Sequence, residues 1–205
     1  MRYTLPRMSA ENLIDPEAEW SRSQSFAGLC ELAARFLEGD LPFFPGWLPG
    51  EIDEETDALV PSLAALNRAG FLTLASQPGL PPTPAHDGSL AQQRAFVTGF
   101  AHGATAAAIE ALAESTDLIV HAFPADEFGG EAEPVAERGD QAYLFTGHAA
   151  GPDELELFED LVGPAALAEL RETRYLTIHD PEWGRRGHLW PLLVAAATHT
   201  APPRP

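Results

Sequence analysis

Apolar residues first recur at helical spacing at Phe26, Leu29, Ala33 and Phe36, and Gly39 follows as a stop signal. The residues before them, 1–24, are polar and irregular with Pro6 and Pro16, and read as an N-terminal arm. Residues 40–54 carry Pro42, Pro45, Pro49, Gly46 and Gly50 and read as a loop that Phe43, Phe44 and Trp47 pin to the body. A second helix is predicted over about 55–69, with Leu59, Leu63 and Leu66 on one face and Gly70 as its end. Its acidic first turn suits the positive end of the helix dipole.

Phe71 to Ala75 then reads as a buried strand, and residues 77–88, with four prolines, as loop. Strands are predicted at 94–100, 117–123, 142–145 and 175–178. Helices are predicted at 104–114, about 153–161, about 164–172 and from Leu189 through Ala196. The acidic stretch 124–139 and the segment HDPEWGRRG read as loops, and residues 201–205 as a frayed tail. Strands and helices interleave without a regular βα repeat. The expectation is therefore a single α+β domain over 25–200, a mixed β-sheet core flanked by helices.

Charge narrows the partners. Thirty-one acids stand against 12 bases, a formal net charge of −19. Nucleic acids and anionic membrane surfaces both need Lys and Arg to neutralise phosphate, so neither is expected as a partner. A negative field steers cations inward. No stretch approaches the ~18 apolar residues of a spanning helix, and the N-terminus lacks a signal pattern, so a cytoplasmic location is expected. Cys30 is the only cysteine; an internal disulfide is excluded, and its apolar surroundings read as core.

Several chemistries are missing. Neither a dinucleotide-binding glycine fingerprint, nor a phosphate loop, nor a nucleophile elbow occurs. There is no lysine, which excludes a Schiff base with pyridoxal phosphate. The seven histidines form no metal-binding pair at helical spacing; His179 and His188 are expected to be solvated loop residues and no metal is expected.

One segment carries more. Residues 54–79 read EETDALVPSLAALNRAGFLTLASQPG. An acid–Thr pair opens a helix, an L-N-x-x-G pattern closes it, and a strand reads L-T-x-x-S-Q-P. This resembles the C-terminal regulatory domain of eukaryotic-type methylenetetrahydrofolate reductase. Weaker likeness continues in QQRAFVTGF at 92–100 and RYLTIHDPEWGRRGHLW at 174–190, so that it spans roughly residues 53–195. That domain binds S-adenosylmethionine, and S-adenosylhomocysteine at the same place. The resemblance implies Glu55, Thr56, Thr73 and Ser76 as ligand contacts. Thr146 is the nearest counterpart of a further ligand threonine, out of register. The segment after Pro78, GLPPTPAHDGSLA, departs from the family, and the flavin- and folate-binding catalytic barrel has no counterpart, so no reductase activity carries over.

The residue types suit such a ligand. Glu55 and Thr56 place an acid and a hydroxyl beside the free backbone N–H groups of a helix start. Phe26, Trp20 or Trp47 would cover an adenine. Each residue also has a structural reading: Thr56 as a helix cap, Thr73 as a β-favouring residue, Ser76 as a turn former. Three functions stay open. The chain is a stand-alone regulatory-type domain that reports S-adenosylmethionine or S-adenosylhomocysteine to a protein partner or a second copy. Alternatively it consumes the ligand, by methyl transfer or by intramolecular cleavage or cyclisation, with His121, His179 or Asp180 as base. Or it is a scaffold that has lost the ligand.

Overall fold

The computed structural model describes residues 16–46 and 54–199. The chain begins with α1 (Pro16–Arg22) and α2 (Phe26–Leu37). The Ser25 hydroxyl caps α2 by accepting from the Gly28 N–H at 3.1 Å. The arm expected over 1–24 is therefore partly structured: Trp20 is fully buried and its indole N–H donates to the Phe43 carbonyl at 3.2 Å. The helix expected at 55–69 is broken into α3 (Glu54–Asp57) and α4 (Val60–Arg68). Pro61 explains the break. It lacks an N–H and cannot continue a helix from the preceding turn, but it fits the first turn of a new one.

The largest departure follows Gly70. β1 (Phe71–Pro84) runs through the proline-rich stretch read as loop and pairs antiparallel with β2 (Leu90–Ala101) in one long hairpin. Prolines are tolerated because β1 pairs on one side only, and an edge strand has N–H positions that need no partner. After β2 come α5 (Gly103–Glu110), α6 (Leu112–Ser115) and β3 (Ile119–Pro124). β4 (Glu133–Arg138) forms inside the stretch expected to be loop, and pairs with β5 (Gln141–Thr146). Then follow α7 (Gly151–Glu159), α8 (Pro164–Arg171), β6 (Arg174–His179) and α9 (Leu189–His199).

The fold is α+β, as the sequence predicts, and all strand pairings are antiparallel where a mixed sheet was expected. β2 is the hub. One of its edges pairs with β1; the other pairs with β4 at residues 91–93 and with β6 at residues 96–101. β3 extends the sheet beyond β6, and β5 beyond β4. Apolar side chains on the two faces feed separate cores. Leu72, Phe100 and Tyr175 join Trp20, Phe26, Leu29 and Phe158 beneath α1, α2, α7 and α8. Phe71, Val97, Leu176 and Ile178 join Leu63, Leu66, Ile109 and Leu193 beneath α4, α5 and α9. Arg68 reaches both Glu31 and Glu38 and ties α4 to α2 on the surface.

A β-bulge sets which residues share a face. Thr73 lies opposite Gly99, but Ala75 lies opposite Thr98, so Leu74 is the extra residue. In a regular strand Thr73 and Ser76, three apart, would point to opposite faces. The bulge returns both to the face of Val97, toward α4. Gly99 makes this packing possible, because a Cβ there would overlap the Leu72 carbonyl group. Gly99→Ala is expected to cost at least the upper end of the ~1–3 kcal/mol typical of overpacking, since backbone rather than a side chain must move. Urea unfolding checks this; a loss below about 1 kcal/mol would mean the hairpin tolerates a different register.

Candidate ligand site

The site starts at the end of β6, where Asp180 is fully buried. Its N–H donates to the Ala95 carbonyl at 2.9 Å, which prolongs the ladder by one residue. Its carboxylate accepts from the Glu182 N–H at 2.9 Å and from Arg185 Nε at 2.7 Å. Arg185 continues outward to Asp117 at 2.6 Å, and His188 meets the other oxygen of Asp117 at 2.8 Å. Arg185, and then His188, hold the Asp117 carboxyl at about 2, well below its ordinary value. The Gly184 N–H donates to the Gln93 carbonyl, and Gly184, at φ +72°, packs so close to Pro81 that a side chain would collide. The segment 180–188 is thus a loop, as expected, but one fixed onto the hairpin by a buried ion pair.

That fixation delivers Arg186. Its Nε donates to the Gly79 carbonyl at 2.9 Å. Between the hairpin, the loop and the α3–α4 segment lies a cleft of about 470 Å³, a volume in the range of small-molecule sites. Among the described residues, its ionisable lining residues are Glu55 and Arg186. Leu59, Pro78, Leu80 and Pro191 supply apolar wall. Gln93 and Trp190 also line it, and each carries a buried polar atom, Oε1 and Nε1, without a hydrogen-bond partner. Buried polar groups are nearly always paired, so two orphans on one wall call for a ligand or water.

Of the four residues carried over from the resemblance, Glu55 lines this cleft and is exposed. Thr56 is half-buried beside it on α3. Ser76 is half-buried on the same face of β1 as Thr73, and neither Thr56 nor Ser76 is among the residues that line the cleft. Thr73 is buried and already engaged: its hydroxyl accepts from Asn67 Nδ2 at 2.8 Å, and its N–H donates to Asn67 Oδ1 at 3.2 Å. Asn67 Nδ2 also donates to the Leu63 carbonyl at 2.8 Å. The Asn of the L-N-x-x-G pattern therefore clamps helix to strand. Gln93, Arg186 and Trp190 were not among the sequence candidates; the signal available was an amide inside an otherwise apolar strand and a cationic loop ahead of a Leu-Trp helix.

The remaining candidates lie elsewhere. Trp20 and Phe26 belong to the core on the opposite face, so neither covers this cleft, and Trp47 lies outside the described residues. Cys30 is buried core, and burial pushes its thiol up. Asp180 is consumed by Arg185. Thr146 lines a different cavity. His179, expected in solvent, is fully buried; its Nε2 lies 3.4 Å from Glu133 and 3.4 Å from Arg94, whose guanidinium stacks on Trp183. His121 shares the same Glu133 carboxylate at 3.0 Å. His188 pairs with Asp117. Among the described residues no group of three His, Cys, Asp or Glu side chains is placed to hold a metal ion.

Fold and site together define a small antiparallel α+β domain with a charged, ligand-sized cleft beside its hairpin. The chain belongs to the family described as a domain of unknown function, DUF6919, which matches residues 15–200. No curated protein matches the chain.

Burial pushes the His179 imidazole down to about 4 from its ordinary 6.5, and this has a consequence for stability. The unfolded chain takes up a proton near pH 6.5 that the folded chain refuses until about pH 4. Stability should therefore be full above about pH 6.5 and decline as pH falls toward 4. The depressed Asp117 acts lower: its contribution is full above about pH 4 and is lost toward pH 2. Melting temperature against pH is expected to fall over both windows in the wild type. In His179→Gln the upper decline should flatten while the lower one persists. An unchanged slope between pH 6.5 and 4 in that variant would remove His179 as the cause.

Proposed function

We propose that this domain binds S-adenosylmethionine or S-adenosylhomocysteine in the Glu55–Arg186 cleft and acts as a stand-alone regulatory-type domain. The observation that carries the reading is the pairing of one carboxylate and one guanidinium as the ionisable walls of a ligand-sized cleft. Both ligands end in an amino-acid group bearing an ammonium and a carboxylate. Glu55 suits the first and Arg186 the second, with the planar fork that favours carboxylates. The unpartnered Gln93 Oε1 and Trp190 Nε1 offer an acceptor and a donor to the polar edges of adenosine, and Leu59, Leu80 and Pro78 offer apolar contact. The resemblance of residues 54–79 to a domain that binds these ligands supports the same choice.

Binding is favoured over consumption of the ligand. A general base must come within hydrogen-bond reach of the proton it takes. His121, His179 and Asp180 are absent from the cleft wall, and Asp180 is held by Arg185. In this reading the domain reports ligand level to a partner protein or to another copy of itself.

Calorimetry with either ligand tests the reading. The wild type should bind, and Glu55→Gln should bind roughly ten- to a hundred-fold more weakly, equivalent to the ~1.5–3 kcal/mol of a hydrogen bond to a charged group. Its folding should be almost unchanged, because Glu55 is exposed. Glu54→Gln, one residue earlier, should bind like the wild type. Equal affinity of Glu55→Gln and wild type would make the α3 start structural, and no heat with either ligand at ~1 mM would leave a ligand-free scaffold.

A further inference from the structure

β5 is an outer strand of the sheet and pairs with β4 alone. Such a strand leaves backbone N–H and C=O groups open along its free side, and natural sheets blunt that side with proline, charge or a covering element. The other outer strands are closed in these ways. β1 carries prolines at 78, 81, 82 and 84, and β3 packs with α5 and α6 and ends in Pro124. β5 reads QAYLFT, with neither a proline nor a charged residue. Its ladder to β4 is irregular at Val135 and Tyr143, which bends the strand without covering its free side. Among the described residues no backbone hydrogen bond joins β5 to any strand or loop but β4.

The surroundings of this edge say what would cover it. Among the described residues four large apolar side chains stand exposed, and two of them, Tyr143 at 56% and Phe145 at 44%, lie on β5. A third, Phe128, belongs to the loop that docks at the far end of the strand, where the Ala149 N–H donates to the Gly129 carbonyl at 2.7 Å. Leu144 and Phe145 also border a hollow of about 280 Å³ whose apolar walls include Leu74, Phe96 and Leu157. Both ends of the strand are acidic: Asp140 precedes it, and Asp126, Glu127 and Glu131 lie in the docked loop, all exposed. The nearby base, Arg138, faces Asp87 at 3.5 Å. An uncharged, aromatic edge between two acidic ends is complementary to an extended chain that carries both apolar and basic side chains. A second copy of this protein fits less well, because each copy brings a net charge of −19 to the same place.

We propose that the free edge of β5 is a docking strand for a basic, extended segment of another protein, which adds to the sheet beside Tyr143 and Phe145. Backbone pairing would supply the contact along the strand, the hollow beside Phe145 would take an apolar side chain, and the acidic ends would hold the basic ones. The edge shares no residue with the Glu55–Arg186 cleft and does not depend on what that cleft binds.

Amide NMR titration with an amidated peptide of alternating arginine and valine tests it. The controls are the same peptide with glutamate for arginine, and a fully N-methylated copy that lacks backbone donors. The arginine peptide should give saturable shifts along residues 141–146 and slow the exchange of β5 amides, with a Kd below ~1 mM, weak because a disordered chain must be ordered. Added salt should weaken it, since the charges are exposed. The glutamate peptide should bind at least tenfold more weakly, and the N-methylated copy should not bind. Phe145→Lys, which puts a cation on the edge, should weaken the arginine peptide at least tenfold with an unchanged melting temperature. If that variant fails to fold, Tyr143→Lys and the N-methylated control still decide. Equal binding of the arginine and glutamate peptides, undiminished binding of the N-methylated copy, shifts at β1 or β3 instead, or no saturable shift up to ~1 mM would each overturn the proposal. So would light scattering that shows a dimer which Phe145→Lys dissolves, because a second copy would then occupy the edge.

Discussion

The Asp180 carboxylate is the group on which the cleft depends. It sits at the end of β6 with no exposure to solvent, and a charge in that position needs a partner and hydrogen bonds. Arg185 and the Glu182 N–H provide them, and in doing so they bend the chain back over the hairpin. Breaking a fully buried pair costs about 3–5 kcal/mol; this one should cost less, because Arg185 keeps a quarter of its side chain in water. The geometry is the larger consequence. With the loop held, Arg186 reaches Gly79, Gly184 seats against Pro81, and α9 begins with Trp190 against the cleft. Asp117, next to β3, joins the same network through Arg185 and His188, so the loop is braced at both ends.

The second constraint is the bulge at Leu74. It puts Thr73 and Ser76 on one face of β1 although their spacing would separate them, and Gly99 allows the close backbone approach that this requires. Thr73 is then spent on Asn67, which fastens α4 to β1 and sets how far α3 stands from the hairpin. In this arrangement the threonine positions the helix start while Glu55 faces the cleft. The two faces of the sheet thus carry differently lined hollows: one holds a carboxylate and a guanidinium, the other hydroxyls, an imidazole and aromatic rings.

Much of this was legible in the sequence. The period of Phe26, Leu29 and Ala33 announced α2, Gly39 and Gly70 marked helix ends, and the short β-branched run announced β3. What failed did so for identifiable reasons. Prolines at 78, 81, 82 and 84 signal loop locally, but an edge strand with a free side tolerates them. β4 is acidic and carries little hydrophobic pattern, because it is stabilised by pairing with β2 and β5 rather than by its own composition. Trp20 in an apparently polar arm is core because α1 packs on α2, a long-range fact with no local sign. For the site, the charge at Glu55 was readable from its helix start. Its counterpart was not: Arg186 lies 131 residues further along the chain, and only the Asp180–Arg185 pair brings it to the same cleft.

We propose that the braced loop and the α3 start together form a receptor for an amino-acid-bearing adenosine ligand. The most direct measurement is a crystal structure of the protein grown with S-adenosylmethionine. The ligand should lie in the cleft between hairpin and loop, with its ammonium at Glu55 and its carboxylate at Arg186, and with Gln93 Oε1 and Trp190 Nε1 no longer without partners. Ordered water alone in that cleft, or the ligand bound on the opposite face of the sheet, would contradict it.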